Sequence, residues 1–198
     1  MKNIISDAAY EDADFISRQT GGTGGGIQKR ILKWLPKSGK FLNVGCGPFQ
    51  EADILKSHGL TIYGCDISKS SIKIAKKKCV KAKICDARAS IPFDDNFFDV
   101  VYSVEVLEHL GQIRNYFKEM GRVTKYGGIL IISCPLLGWW KNRLKILMGK
   151  DIFDDYHCRY FTIDSIRKYM KEGGFTLTDY EVAGKLRFVK NCYAGIFS

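Results

Sequence analysis

No two cysteines in this 198-residue sequence are spaced as C-x-x-C, no run of about 18 apolar residues occurs, and only three histidines are present. Each scarcity excludes something. The seven cysteines (46, 65, 79, 85, 134, 158 and 192) are odd in number and several sit inside apolar runs, so neither a disulfide framework nor a cysteine zinc site is expected. Free, buried thiols fit better. Without a long apolar run no transmembrane helix is expected. The opening "MKNIISDAAYEDADF" is acidic and lacks an apolar signal segment, so a cytoplasmic location is the expectation.

The apolar share is 45% and the charged share 26%, the balance of one globular domain with a sizeable core. The formal charge of +10 comes from 31 basic and 21 acidic residues. Such an excess favours anionic partners. Much of it is local, since "SKSSIKIAKKKCVKAK" carries seven lysines between Lys69 and Lys83. A solvated helix face accounts for that run, which makes RNA the less favoured partner.

The whole chain, 1–198, reads as one domain, with 1–26 as an N-terminal arm. "TGGTGGG" (20–26) invites a phosphate-loop reading, but no apolar strand feeds it and no Gly-Lys-Ser/Thr closes it, so it reads as a hinge before a helix over 27–35. Beyond it, short apolar runs alternate with helical periods. Strands are expected at 40–45, 60–66, 81–87, 97–104 and 127–135, with helices at 50–59, 68–78 and 111–125 between them. A helix at 162–174 and strands at 175–183 and 189–197 finish the chain. The alternation predicts an α/β fold: a doubly wound, mostly parallel seven-stranded sheet with helices on both faces.

In such a sheet, ligands bind beyond the carboxyl ends of the strands, where the strand order reverses. The first strand runs into "NVGCGPFQEAD", whose Gly45 and Gly47 allow a tight turn and close approach to a ligand. Asp66 ends the second strand and can accept hydrogen bonds from ribose hydroxyls. Asp86 ends the third. The fourth runs into "SVEVLEHL", which places Glu105, Glu108 and His109 together. A nicotinamide site would need G-x-G-x-x-G, and Ala52 lies too far along to supply the last glycine.

The markers "FLNVGCGPF", "IYGCDIS", "ICDARASIPFDDNFFDVVYSVEVLEHL", "GGILIISCP" and "CRYFTIDSIRKYMKEGGF" resemble the class I S-adenosylmethionine-dependent methyltransferases. The resemblance covers roughly 27–183, within the type 11 branch that includes the quinone-biosynthesis O-methyltransferases. It implies S-adenosyl-L-methionine as cofactor and S-adenosyl-L-homocysteine as product, with Asn43, Gly45, Cys46 and Gly47 along the methionine part. By the same resemblance Asp66 holds the ribose, Ile67 packs on adenine, Asp86 and Ala87 meet its amino edge, and Ser103 and Glu105 line the sulfonium side. Two positions depart from the family: its usual acidic residue is Asn43, and its usual third glycine is Phe49, a ring expected to wall or narrow the methionine pocket.

Methyl transfer needs alignment, and a base only when the acceptor must lose a proton. His109 and then His157 are the candidate bases. If 105–109 begin a helix, Glu105, Glu108 and His109 share a face and, with His157, form a candidate Mg2+ or Mn2+ site. An insertion at 136–160 is expected to act as a lid over the substrate pocket. Its segment 136–150 is apolar and basic, which also suits peripheral membrane contact. The expected reaction is methyl transfer, at oxygen more than nitrogen, to a small-molecule or lipid-linked acceptor. The rivals are a metal-assisted RNA 2′-O-methyltransferase and a cofactor-binding module without catalysis.

Overall fold

The computed structural model describes residues 31–135, 137, 140–152, 159–185 and 188–197. Of the sequence expectations, the arm 1–26, the first residues of the 27–35 helix, His157 and part of the 136–160 insertion lie outside these. Seven strands form a single sheet in the order β3-β2-β1-β4-β5-β7-β6. They are β1 (Gly39–Val44), β2 (Leu60–Asp66), β3 (Lys81–Ile84), β4 (Phe98–Val104), β5 (Thr124–Pro135), β6 (Leu177–Lys185) and β7 (Phe188–Phe197). The first five pair in parallel, and β7 runs antiparallel between β5 and β6. The helices are α1 (Ala52–Ser57), α2 (Lys69–Ala75), α3 (Arg114–Val123), α4 (Trp140–Leu147) and α5 (Ile163–Glu172).

Buried side chains alternate along the central strands and sort into two cores. Phe41, Val100, Tyr102 and Ile131 face one side, packed with Ala52 and Leu55 of α1 and Ile72 and Ala75 of α2. Leu42, Val101, Leu130 and Ile132 face the other, against Phe117, Met120, Ile166 and Met170 of α3 and α5. Period-2 alternation with apolar residues on both faces makes the strands continuous apolar runs in sequence. The helices α3 and α5 meet closely, because a Cβ at Gly121 would stand 2.1 Å from the Gly173 carbonyl oxygen.

Local differences from the expected elements have identifiable causes. The described end of the 27–35 helix is a 3₁₀ turn, Leu32–Trp34, anchored by the buried Ile31 and Leu35. Helix α2 opens on Ser68, whose hydroxyl accepts the Ser71 N–H at 3.1 Å, as its sequence suggested. Strand β5 begins at Thr124, earlier than expected, because residues 124–126 continue extended directly from α3. Sheet reversal falls between β1 and β4, whose carboxyl ends therefore flank a crevice.

Candidate active site

Four neighbouring strands end at this crevice and carry the residues singled out in sequence. After β1 the chain turns through Gly45 (φ 74°) and Gly47 (φ 49°). Gly45 is required twice over: its φ lies in the left-handed region, and a Cβ there would stand 2.3 Å from Cγ2 of Val106. The N–H groups of Gly45 and Cys46 donate to the Cys65 carbonyl at 2.8 and 3.0 Å, which ties the loop to the end of β2. Asp66 completes the tie. Its carboxylate accepts the Gly47 N–H at 2.7 Å on one oxygen and the Ser68 N–H at 2.8 Å on the other. The half-buried Asp66 is thus fixed at the rim of the glycine loop, with Ile67 half-buried beside it.

At the end of β3, Asp86 is gripped by Arg88, whose Nε and a terminal nitrogen donate to its two oxygens at 2.8 Å each. The Arg88 hydrogen bonds hold the Asp86 carboxyl below its ordinary value. Sequence reasoning passed over Arg88, although arginine two residues after an aspartate is a fair signal of such a fork. Ala87 is half-buried and packs against the core.

At the end of β4 the outcome departs from expectation. Ser103 is 1% exposed, donates to the Val44 carbonyl at 2.9 Å and accepts the Tyr116 hydroxyl, so both bonds tie its hydroxyl into the core. Residues 105–109 do not begin an α-helix. Glu105 takes φ 56°, and only Leu107–His109 form a 3₁₀ turn. The left-handed Glu105 breaks the expected i, i+3, i+4 face. Glu105 turns to the Ser133 hydroxyl, which donates to its Oε1 at 3.3 Å. Glu108 is fully buried on the side of Tyr116 and Cys134, whose ionisations are pushed up first by burial. His109 stays half-buried at the mouth. Among the described residues no group of three or more His, Cys, Asp or Glu side chains could hold a metal ion. The premise of the Glu105–Glu108–His109 metal face therefore fails, and His157 lies outside the described residues.

The two departures of the glycine loop also resolve. Phe49 is fully buried beneath the loop, in contact distance of Gly64, and does not line a pocket. It holds φ 53°, a strain of about 1–2 kcal/mol for a non-glycine residue, offset by burying a ring. Asn43 is 3% exposed, and its amide donates to Oε1 of Glu51 at 2.6 Å. Glu51, at the start of α1, was not anticipated; its pairing with Asn43 runs from strand to helix and has no spacing signature. Burial raises the Glu51 carboxyl to about 7, against the pull of its own backbone N–H, Lys78 and Asn43. Cys46, 5% exposed beside it, has its thiol pushed up by burial, so it packs rather than reacts.

Residues 42–132 match the family profile described as "Methyltransferase domain". Over that stretch the chain is similar to S-adenosylmethionine-dependent methyltransferases. It is similar to the 2-methyl-6-phytyl-1,4-hydroquinone methyltransferase of Synechocystis, at 29% identity over 184 residues, 83% of this chain and 57% of that protein. The ubiquinone biosynthesis O-methyltransferase of Pelagibacter ubique is 32% identical over 101 residues, 49% of this chain and 42% of that one. The solved magnesium protoporphyrin IX methyltransferase of Synechocystis, with S-adenosylhomocysteine bound, superposes with a TM-score of 0.75 at 17% identity, covering 96% of each chain. The chain spans about half the length of the curated relatives it matches.

The crevice residues fit the family's cofactor. Gly45 and Gly47 bring bare backbone to the site, and the rigidly held Asp66 supplies a carboxylate acceptor suited to paired hydroxyls. Insertion residues 143–150 are exposed, including Leu144, Ile146, Leu147 and Met148. Among the described residues no helix is long and apolar enough to cross a membrane.

Proposed function

We propose that this protein moves the methyl group of S-adenosyl-L-methionine to the oxygen of a small-molecule or lipid-linked acceptor. The observation that carries the reading is the convergence of Gly45, Gly47, Asp66, Asp86 and Glu105 on four adjacent strand ends at the reversal of the sheet. In this reading Asp66 orients the ribose, Asp86 and Ala87 meet the adenine, and Asn43, Cys46 and the loop backbone border the methionine part. The cofactor's sulfonium supplies an activated methyl group and a good leaving group, so the protein's task is alignment and exclusion of water. Val106, pressed over Gly45, and Glu105, held by Ser133, wall the crevice on the acceptor side. His109, half-buried, is the candidate base for an acceptor hydroxyl, since imidazole is the side-chain group best suited to exchange a proton near neutral pH.

Two observations favour a lipid-linked acceptor. Helix α4 and the turn after it expose Leu144, Ile146, Leu147 and Met148 beside Arg143, Lys145 and Lys150, a surface suited to acyl or prenyl chains at an anionic interface. The two curated relatives named above act, by their names, in phytyl-hydroquinone and ubiquinone chemistry. Metal-assisted methylation of RNA is the weaker reading, because residues 105–109 do not form the α-helical face it would use. A transfer assay with labelled S-adenosyl-L-methionine over catechols, prenylated phenols, sugars and short RNA tests the proposal. Methylation of a prenylated phenol lost in His109→Ala is the expected result; transfer to RNA alone would overturn it.

A further inference from the structure

Strand β3 stands last in the sheet order, so among the described residues no strand covers its outer edge. The Cys85 N–H donates inward to the Asp66 carbonyl at 2.8 Å, and strand alternation then turns the N–H groups of Ala82 and Ile84 outward. Such an edge is a template for pairing with another chain. Large apolar side chains are exposed along it: Val80 at 68%, Ile84 at 53% and, on the helix packed beside it, Ile74 at 38%. Next to them lies a cavity of about 270 Å³ lined by Tyr63, Val80, Lys81, Lys83, Phe93 and Phe97, with Asp94 its one carboxylate. Its aromatic wall is preformed, since Tyr63 meets Phe93 and Phe97 edge-on at 6.0 and 5.6 Å between ring centres.

The charge of this edge selects the partner. From Lys69 to Lys83 there are seven lysines and no acidic residue. Lysines on an edge repel a second copy of the same edge, which disfavours self-pairing. They attract an acidic one. Repulsion of copies does not account for the exposed Val80 and Ile84, and a nucleic acid would use the lysines but neither the apolar side chains nor the outward amides.

We propose that the β3 edge docks an extended acidic segment of a partner protein. The segment adds as a further strand beside β3, sets carboxylates against Lys81 and Lys83, and seats an apolar side chain in the cavity walled by Tyr63, Phe93 and Phe97. This mode gives affinity through main-chain hydrogen bonds and specificity through alternate side chains. It places the partner at the edge whose carboxyl end leads into Asp86, and it holds whether or not the methyl acceptor is the one proposed above.

The test is fluorescence anisotropy of the full chain with a labelled peptide of alternating glutamate and valine, roughly six residues long. A lysine-for-glutamate peptide and an oligouridine serve as controls. The glutamate peptide is expected to bind and to weaken by about tenfold in Lys81→Glu/Lys83→Glu. It should weaken comparably in Val80→Asp, with circular dichroism unchanged in both variants. Hydrogen exchange at the Ala82 and Ile84 amides should slow when the peptide is added. Equal binding of both peptides, no loss in the variants, or binding of oligouridine alone would overturn the proposal. So would protection of both amides in the isolated chain, since its own residues would then cover the edge.

Discussion

Glu51→Gln should stabilise the protein at pH 8 and change it little at pH 4.5. Glu51 is 8% exposed, and burial raises its carboxyl from an ordinary 4.5 to about 7. Between those two values the folded chain keeps the proton that the unfolded chain has lost, so stability falls as pH rises through this window. The slope is about 1.4 kcal/mol per pH unit, and it flattens above about 7, where both states are ionised. By pH 8 the accumulated cost is about 3 kcal/mol. Glutamine keeps an oxygen that can accept from the Asn43 amide, 2.6 Å away in the wild type, and it cannot ionise. Urea unfolding of both proteins at pH 4.5, 6, 7 and 8 measures the difference directly. The variant should gain up to about 3 kcal/mol over the wild type at pH 8 and converge with it at pH 4.5. A difference that stays constant across the series would refute the reasoning, because only a Glu51 carboxyl that titrates alike in the folded and unfolded chains gives parallel curves.

Gly45→Ala should cost about 2–4 kcal/mol in unfolding free energy, since it combines a left-handed φ with a clash on Val106. Adding Val106→Ala should recover only the part due to the clash. Asp66→Ala removes the acceptor of the Gly47 and Ser68 N–H groups and should abolish binding of S-adenosylhomocysteine by calorimetry while circular dichroism stays native. Arg88→Ala should let the Asp86 carboxyl return upward toward its ordinary value, read by carboxyl NMR titration; an unchanged titration would mean that Arg88 is not what depresses it.

Backbone architecture was legible because its signals are local. Apolar runs, a serine cap before α2 and turn residues between strands mark the sheet without reference to distant partners. The glycine loop and Asp66 were legible for the same reason: the loop's geometry demands glycine, and the strand end fixes the distance to the carboxylate. What escaped depends on tertiary direction. Phe49 occupies a position where glycine is usual, and only the packed structure shows its ring filling the core beneath the loop. The family resemblance put Ser103 on the sulfonium side, and only the packed structure shows its hydroxyl bonded to the Val44 carbonyl and the Tyr116 hydroxyl. The run "EVLEH" suggested one helical face, and a single left-handed residue, Glu105, breaks it. The Asn43–Glu51 pair joins a strand to a helix, a contact that no spacing rule predicts.

The central claim is that the crevice at the strand reversal is a cofactor site built on Gly45, Gly47 and Asp66. Isothermal titration of the full chain with S-adenosylhomocysteine tests it most directly. The account predicts saturable binding at one site per chain, lost in Asp66→Ala. Absence of binding to the folded wild-type protein, or undiminished binding in Asp66→Ala, would contradict it.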